Sequence, residues 1–191
     1  MDHAIWVFVH VMLLVYWLGA DLGVFLLAKA AKRPELSFAE RAFALQMAIR
    51  IDLVPRLCFT VMFPVGLHVT ASGGFAVVPT SAFVLAWAVS FAWIALLVTL
   101  GRHEGKPLAA RLNHWHLGLQ ALLLVIVGAI GISSWLGHGP LPGGWFAATI
   151  VLFALIFAMG IGIAVDGAIR YVLGLYALLI AIAFLGVTKF L

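Results

Sequence analysis

The sequence predicts an all-α, polytopic membrane bundle of about six transmembrane helices, and three observations predict it. Hydrophobic residues make up 65% of the 191 residues and charged residues only 9%, with a mean hydropathy of +1.20. A soluble domain needs a charged surface that this composition does not supply. Apolar runs then recur near 5–28, 48–70, 80–101, 114–136, 144–166 and 171–189, each close to the roughly 20 residues that a helix needs to cross hydrocarbon. Finally, the runs are evenly apolar and do not alternate, which fits helices and excludes the strands of a membrane barrel. Together they use nearly the whole chain, so one integral membrane domain over 1–191 is expected and no soluble domain of any size.

The first run starts directly after Met-Asp-His-Ala, with no basic segment ahead of Ile5-Trp6-Val7-Phe8-Val9, so it is expected to remain as a helix and not to be removed as a signal peptide. Before the second run, Ser37-Phe38-Ala39-Glu40 has the S-x-x-E form of a capping box and should start a helix there. That helix is mixed at first, with Glu40, Arg41, Gln46 and Arg50 among apolar residues, and should follow the interface before entering the bilayer. Pro55 and Pro64 lie inside it and should kink it, with neighbouring helices satisfying the freed carbonyls. Asp166-Gly167 suits a tight turn between the fifth and sixth runs, with a re-entrant or long tilted segment as the alternative. The lone cysteine, Cys58, excludes an intramolecular disulfide and a multi-cysteine metal site.

Orientation follows from the basic residues. Lys29, Lys32, Arg33 and Arg41 follow the first run, Arg102, Lys106 and Arg111 join the third and fourth, and Arg170 joins the last two, whereas the 71–81 and 137–144 connections carry no Lys or Arg. By the positive-inside rule the basic connections are cytoplasmic and both termini face outward. The expected location is a bacterial inner (plasma) membrane. The net charge of +4 and a pI near 9.6 then record topology and give no reason to expect a nucleic-acid partner.

Ionisable residues within membrane spans are costly and by default functional candidates. His10, near the outer end of the first span, and His68, near the outer end of the second, fall at one depth on antiparallel neighbours. Two imidazoles so placed suit axial ligation of haem b or, alternatively, two ligands of a copper site; interfacial histidines bonded to headgroups or carbonyls are the plainer reading. At the opposite level, Asp21 and Arg56 match in depth and are expected to pair. Asp52 lies four residues before Arg56 on the same face, which extends the pair to a three-member network. Arg50 points elsewhere, toward headgroups or an anionic group of a ligand. A secondary polar stripe, Asn113, His116 and Gln120, recurs at helical spacing, with His114 off it and His103 in the preceding loop. Trp17 and Trp93 are deep enough to line a flat ligand, while Trp6, Trp87, Trp115, Trp135 and Trp145 include several interfacial anchors. Gly19-x-x-x-Gly23 permits close approach of a second helix or a planar cofactor.

His10-Val-Met-Leu-Leu-Val-Tyr-Trp17-Leu-Gly19 has the form H-x6-W-x-G. It resembles the opening helix of the CopD copper-resistance membrane proteins and, more loosely, that of the HemJ-type protoporphyrinogen oxidases. The likeness covers the first span and, in outline, the second, through its internal proline and Gly66-Leu-His68 exit. It implies a haem b or copper site at His10 and electron-transfer or oxidase-type chemistry on a porphyrin or quinone. The chain departs from HemJ in its six expected spans and its Asp21, and from CopD in lacking Met- or His-rich outer loops.

Three functions follow as expectations. The first is a haem-b-binding membrane redox protein with His10 and His68 as ligands and Trp17, Gly19, Arg50 and Arg56 around the cofactor, working with a quinone, a porphyrin or a redox protein. The second is a copper-handling transporter using His10, His68 and Met62. The third is a non-enzymatic subunit or assembly factor. A homo-oligomer is compatible with all three.

Overall fold

The computed structural model describes residues 2–103, 105–141, 144–167 and 169–188. Its ordered elements are six helices: α1 His3–Ala30, α2 Phe38–Ser72, α3 Thr80–Arg102, α4 Pro107–Trp135, α5 Trp145–Asp166 and α6 Ile169–Thr188. All six are long and apolar enough to cross a membrane, so the chain is an integral membrane protein of helical class. Among the described residues there is no strand. Each expected span falls within one helix, apart from a residue or two at some ends; position 189 of the last lies outside the described residues. Internal contacts divide the chain into two compact units, Met1–Ala109 and Ala110–Leu191.

In the first unit α2 packs against both α1 and α3. Ser37 caps α2 as its sequence anticipates: its hydroxyl accepts from the Glu40 backbone N–H at 3.3 Å, and Glu40 Oε2 accepts from the Ser37 N–H at 2.8 Å. From there α2 runs unbroken through Pro55 and Pro64 for 35 residues, about 52 Å at 1.5 Å per residue. Its buried positions Ala44, Ala48, Pro55, Cys58, Met62 and Val65 recur every three, four or seven residues and form the face that meets its neighbours.

Pro64 has no N–H to offer the carbonyl four residues back, which is that of Thr60. The hydroxyl of Ser90 on α3 donates to that same carbonyl. A freed backbone acceptor in lipid thereby gains its partner from the adjacent helix, and the bond also pins α3 to α2. The buried stripe of α3 is Ala86, Ser90, Trp93 and Leu97. Trp17 is the buried side chain of α1, and it meets Phe59 at 5.0 Å between ring centroids, with Phe59 edge-on to Trp93 at 5.7 Å. Ring pairs of this kind are worth about 0.5–1.5 kcal/mol beyond their buried area.

The second unit is held differently. The buried positions of α4, namely His116, Gln120, Val127, Gly131 and Ser134, lie on one face. A Cβ placed on Gly131 would come within 3.0 Å of the Val151 backbone nitrogen, so α5 approaches α4 at a point where only glycine fits. At the other end, α5 closes on Gly167, whose left-handed conformation (φ 62°) lets its N–H reach the Ile163 carbonyl at 2.9 Å. The Asp166-Gly167 junction is therefore a tight turn. Arg170 donates to Asp166 at 2.6 Å across it. Beyond the turn, Gly162 receives the Tyr171 ring and Gly174 receives the Met159 sulfur, each closer than a side chain would allow.

Candidate functional site

One face of α1 carries His3, Trp6, His10, Trp17 and Asp21, spaced three, four, seven and four residues apart. At the N-terminal end of α1 this face meets the last turns of α2 in three layers. His3 Nδ1 lies 3.0 Å from the Ser72 hydroxyl, which itself donates to the His68 carbonyl at 2.6 Å. With that hydroxyl proton committed, His3 is the donor. The Trp6 ring stacks on the His68 imidazole at 3.9 Å, only 4° from parallel. His10 lies against α2 at Gly66, where an added Cβ would stand 3.5 Å from the imidazole Cε1.

His68 is enclosed further by α3. Phe83 stacks on it at 4.5 Å, and the Trp87 indole N–H donates to its Nε2 at 3.1 Å. Accepting that bond requires a lone pair on Nε2, which places the proton of the neutral ring on Nδ1. The arrangement leaves Nε2 unprotonated, with its lone pair engaged by the indole. His10 is the counterpart. Its Nδ1 is buried and has no hydrogen-bond partner, an arrangement that ordinarily calls for an explanation in a folded protein.

The two imidazoles thus both turn inward and belong to one layered end of the first unit. The other residues placed beside them by sequence do not. Arg56 and Arg50 stand 12 and 18 residues before His68 on α2, about 18 and 27 Å along the helix axis, so neither belongs to that end. Arg56 forms its ion pair with Asp52, as the four-residue spacing anticipates, and remains 43% exposed; Arg50 is exposed. Gly19 is also exposed, and neither it nor Gly23 has any atom within 4 Å of an added Cβ. The expected close approach at that step is not made within the chain, because the α2-facing side of α1 is the His3, Trp6, His10 and Trp17 side. Trp17 shares that side with His10 but is engaged with Phe59, and the Trp17, Phe59 and Trp93 rings fill the core between the histidine end and the level of Asp21.

In the second unit His116 and Gln120 are both buried, at 6% and 7% exposure, and Gln120 Nε2 lies 2.9 Å from His116 Nε2. Asn113 is half-buried one turn earlier, and His114 is exposed, with its Nδ1–H donated to the Ala110 carbonyl at 2.7 Å. Among the described residues no group of three or more His, Cys, Asp or Glu side chains is placed to hold a metal ion.

The cage around His68 went unread in the sequence, although its signal was present. Phe83 and Trp87 are four residues apart near the N-terminus of α3, and Trp6 is four residues before His10. Each was explicable as an interfacial aromatic, and only the rotation of each helix about its axis reveals that the three rings converge on His68. No protein family, curated protein or solved structure matches this chain.

Proposed function

We propose that this chain is an integral membrane redox protein that binds haem b at the outer end of its first unit, with His10 as the resident ligand and His68 as the second. The observation that carries the reading is the buried, unpartnered Nδ1 of His10: an imidazole nitrogen withdrawn from water with no protein donor or acceptor is poised for an outside partner. Two imidazoles at one end of the unit are a donor set that suits haem. The fit at His68 is conditional, because Trp87 holds the ligating nitrogen and must yield it. When bound, haem supplies one-electron chemistry. The chain holds His68 as the Nδ1–H tautomer, screens it from lipid with Trp6 and Phe83, and keeps water from the level below with Trp17, Phe59 and Trp93. The H-x6-W-x-G likeness to CopD-type and HemJ-type helices supports the same site. In this reading the termini and the histidine end face outward, and Asp21 joins Asp52 and Arg56 at the inner level as a charged register lock between α1 and α2.

Optical spectra of protein purified from cells supplied with haem precursor test it. A Soret band with a reducible alpha band is expected, lost in His10→Ala and shifted in His68→Ala. A colourless protein with stoichiometric copper would instead favour copper handling. Neither pigment nor metal, with both variants behaving as the parent, would leave a scaffold role.

A further inference from the structure

The second unit contains a polar site that the haem reading does not use. Gln120 lies 13 residues into α4, about 20 Å along a helix of about 43 Å, and so at mid-span. It is 93% buried by its 7% exposure. Its Nε2 is engaged with His116, but its Oε1 is buried and bonded to nothing. That oxygen points at α5, where a Cβ on Gly160 would stand 3.0 Å from it. On α5, Phe153, Ile156 and Phe157 are buried in the preceding two turns, so that stretch of α5 offers rings and methyl groups.

We propose that His116, Gln120 and Gly160 form a binding site for a hydroxyl group within the membrane. Three features specify that chemistry. The unpaired atom is an acceptor and needs an O–H or N–H donor. Turning the amide over exchanges an unpaired acceptor for an unpaired donor, and a hydroxyl satisfies either orientation because it both donates and accepts. At mid-span a charged donor is costly, so a neutral one is favoured. In a bilayer that chemistry has two sources: a trapped water, and the phenolic hydroxyl of a membrane-soluble quinol. Gly160 matters because any side chain there would press on the accepting oxygen.

Two measurements on the full chain in detergent distinguish the sources. Infrared difference spectra in H2O and isotopically heavy water report a trapped water as an O–H stretching band that shifts with the isotope and is absent in Gln120→Leu. Titration with a short-chain ubiquinol, followed by tryptophan fluorescence, reports quinol binding as a saturable change weakened at least tenfold in Gln120→Leu and Gly160→Ala. Gly19→Ala, whose surroundings are open, should match the parent in both. Gln120→Leu retains a similar volume, and helical content by circular dichroism shows that it folds. Either signal, if lost in Gln120→Leu, supports the site and names its occupant. The proposal is overturned if Gln120→Leu keeps both signals, or if the parent shows neither and Gln120→Leu melts at or above the parent temperature, for then the amide only packs. Neither assay involves His10 or haem, so failure here leaves the redox reading untouched.

Discussion

The two units solve the same problem in different ways. Helices in lipid have no hydrophobic force to drive them together and rely on close van der Waals packing and interhelical hydrogen bonds. The first unit uses bonds and rings across helices: Ser90 to the Thr60 carbonyl, Trp87 to His68, His3 with Ser72, and Trp6 flat on His68. The second uses backbone proximity, with Gly131, Gly160, Gly162 and Gly174 each admitting a neighbour too close for a side chain. Its buried polar pair, His116 and Gln120, bonds along one helix and leaves an oxygen over. Cross-helix bonds fix the rotation of each helix and so can aim an imidazole, whereas glycine contacts fix distance. A ligand site that depends on aim is therefore expected in the first unit, and it is there that His10 and His68 share one end.

The largest test of that contrast is Gly162→Ala. Its Cβ would lie 2.5 Å from the Tyr171 ring, so the ring must swing out of its place or α5 and α6 must separate. Overpacking of this kind typically costs about 1–3 kcal/mol, and a result at the upper end is expected in reversible unfolding in mixed micelles. Gly174→Ala meets the flexible Met159 side chain at 2.8 Å and should cost clearly less. Equal losses would mean that the α5 and α6 contact is looser than drawn.

Next is Ser90→Ala. It strips the donor from a carbonyl that Pro64 has already deprived of its helical partner, leaving a buried acceptor unsatisfied at about 1–3 kcal/mol. The sharper form is a double-mutant cycle: Pro64→Ala restores the N–H that Thr60 lacks, so Ser90→Ala should cost less in that background. Additive effects would show that Ser90 acts through something other than the freed carbonyl.

These cases also mark what was legible beforehand. Depth along a helix follows from residue number, so the six spans and the Ser37 capping box were accessible, and so was the shared end of His10 and His68, although His68 is level with Trp6 and His10 with Gly66, one layer deeper. Rotation about the helix axis was not. The need for a neighbour at the carbonyl freed by Pro64 was predictable, but that Ser90 supplies it depends on which way α3 faces. Gly19-x-x-x-Gly23 fitted the small-residue pattern yet is open, because such spacing permits contact without naming the helix that makes it. Arg50 and Arg56 were grouped with the cofactor by charge, and helix length alone separates them from His68.

A smaller effect is expected from Trp87→Phe. It keeps a ring against His68 and removes only the N–H donor to Nε2, a loss of about 0.5–1.5 kcal/mol. The consequence for His68 is larger than for stability, since Nε2, the nitrogen the proposed haem site would use, is released. In nitrogen-15 spectra the His68 Nε2 signal should move toward that of an unbonded imidazole nitrogen, and haem uptake should become faster. An unchanged spectrum would show that Trp87 is an interfacial anchor and not a partner of His68.

Gly19→Ala should have the least effect, and its smallness is informative. The residue is exposed and an added methyl meets nothing within 4 Å, so the remaining term is the gain in helix propensity of Ala over Gly, up to about 1 kcal/mol in water. Unfolding should be unchanged or slightly harder. A loss approaching that of Gly162→Ala would mean that α1 uses its glycine step after all, against a second copy of the chain, and a dependence of the loss on protein concentration would identify that contact. Glycine contact would then operate along α1 as well as at Gly73, where an added Cβ would already meet His3 at 2.8 Å, and the division between aimed and merely close helices would hold only within one copy.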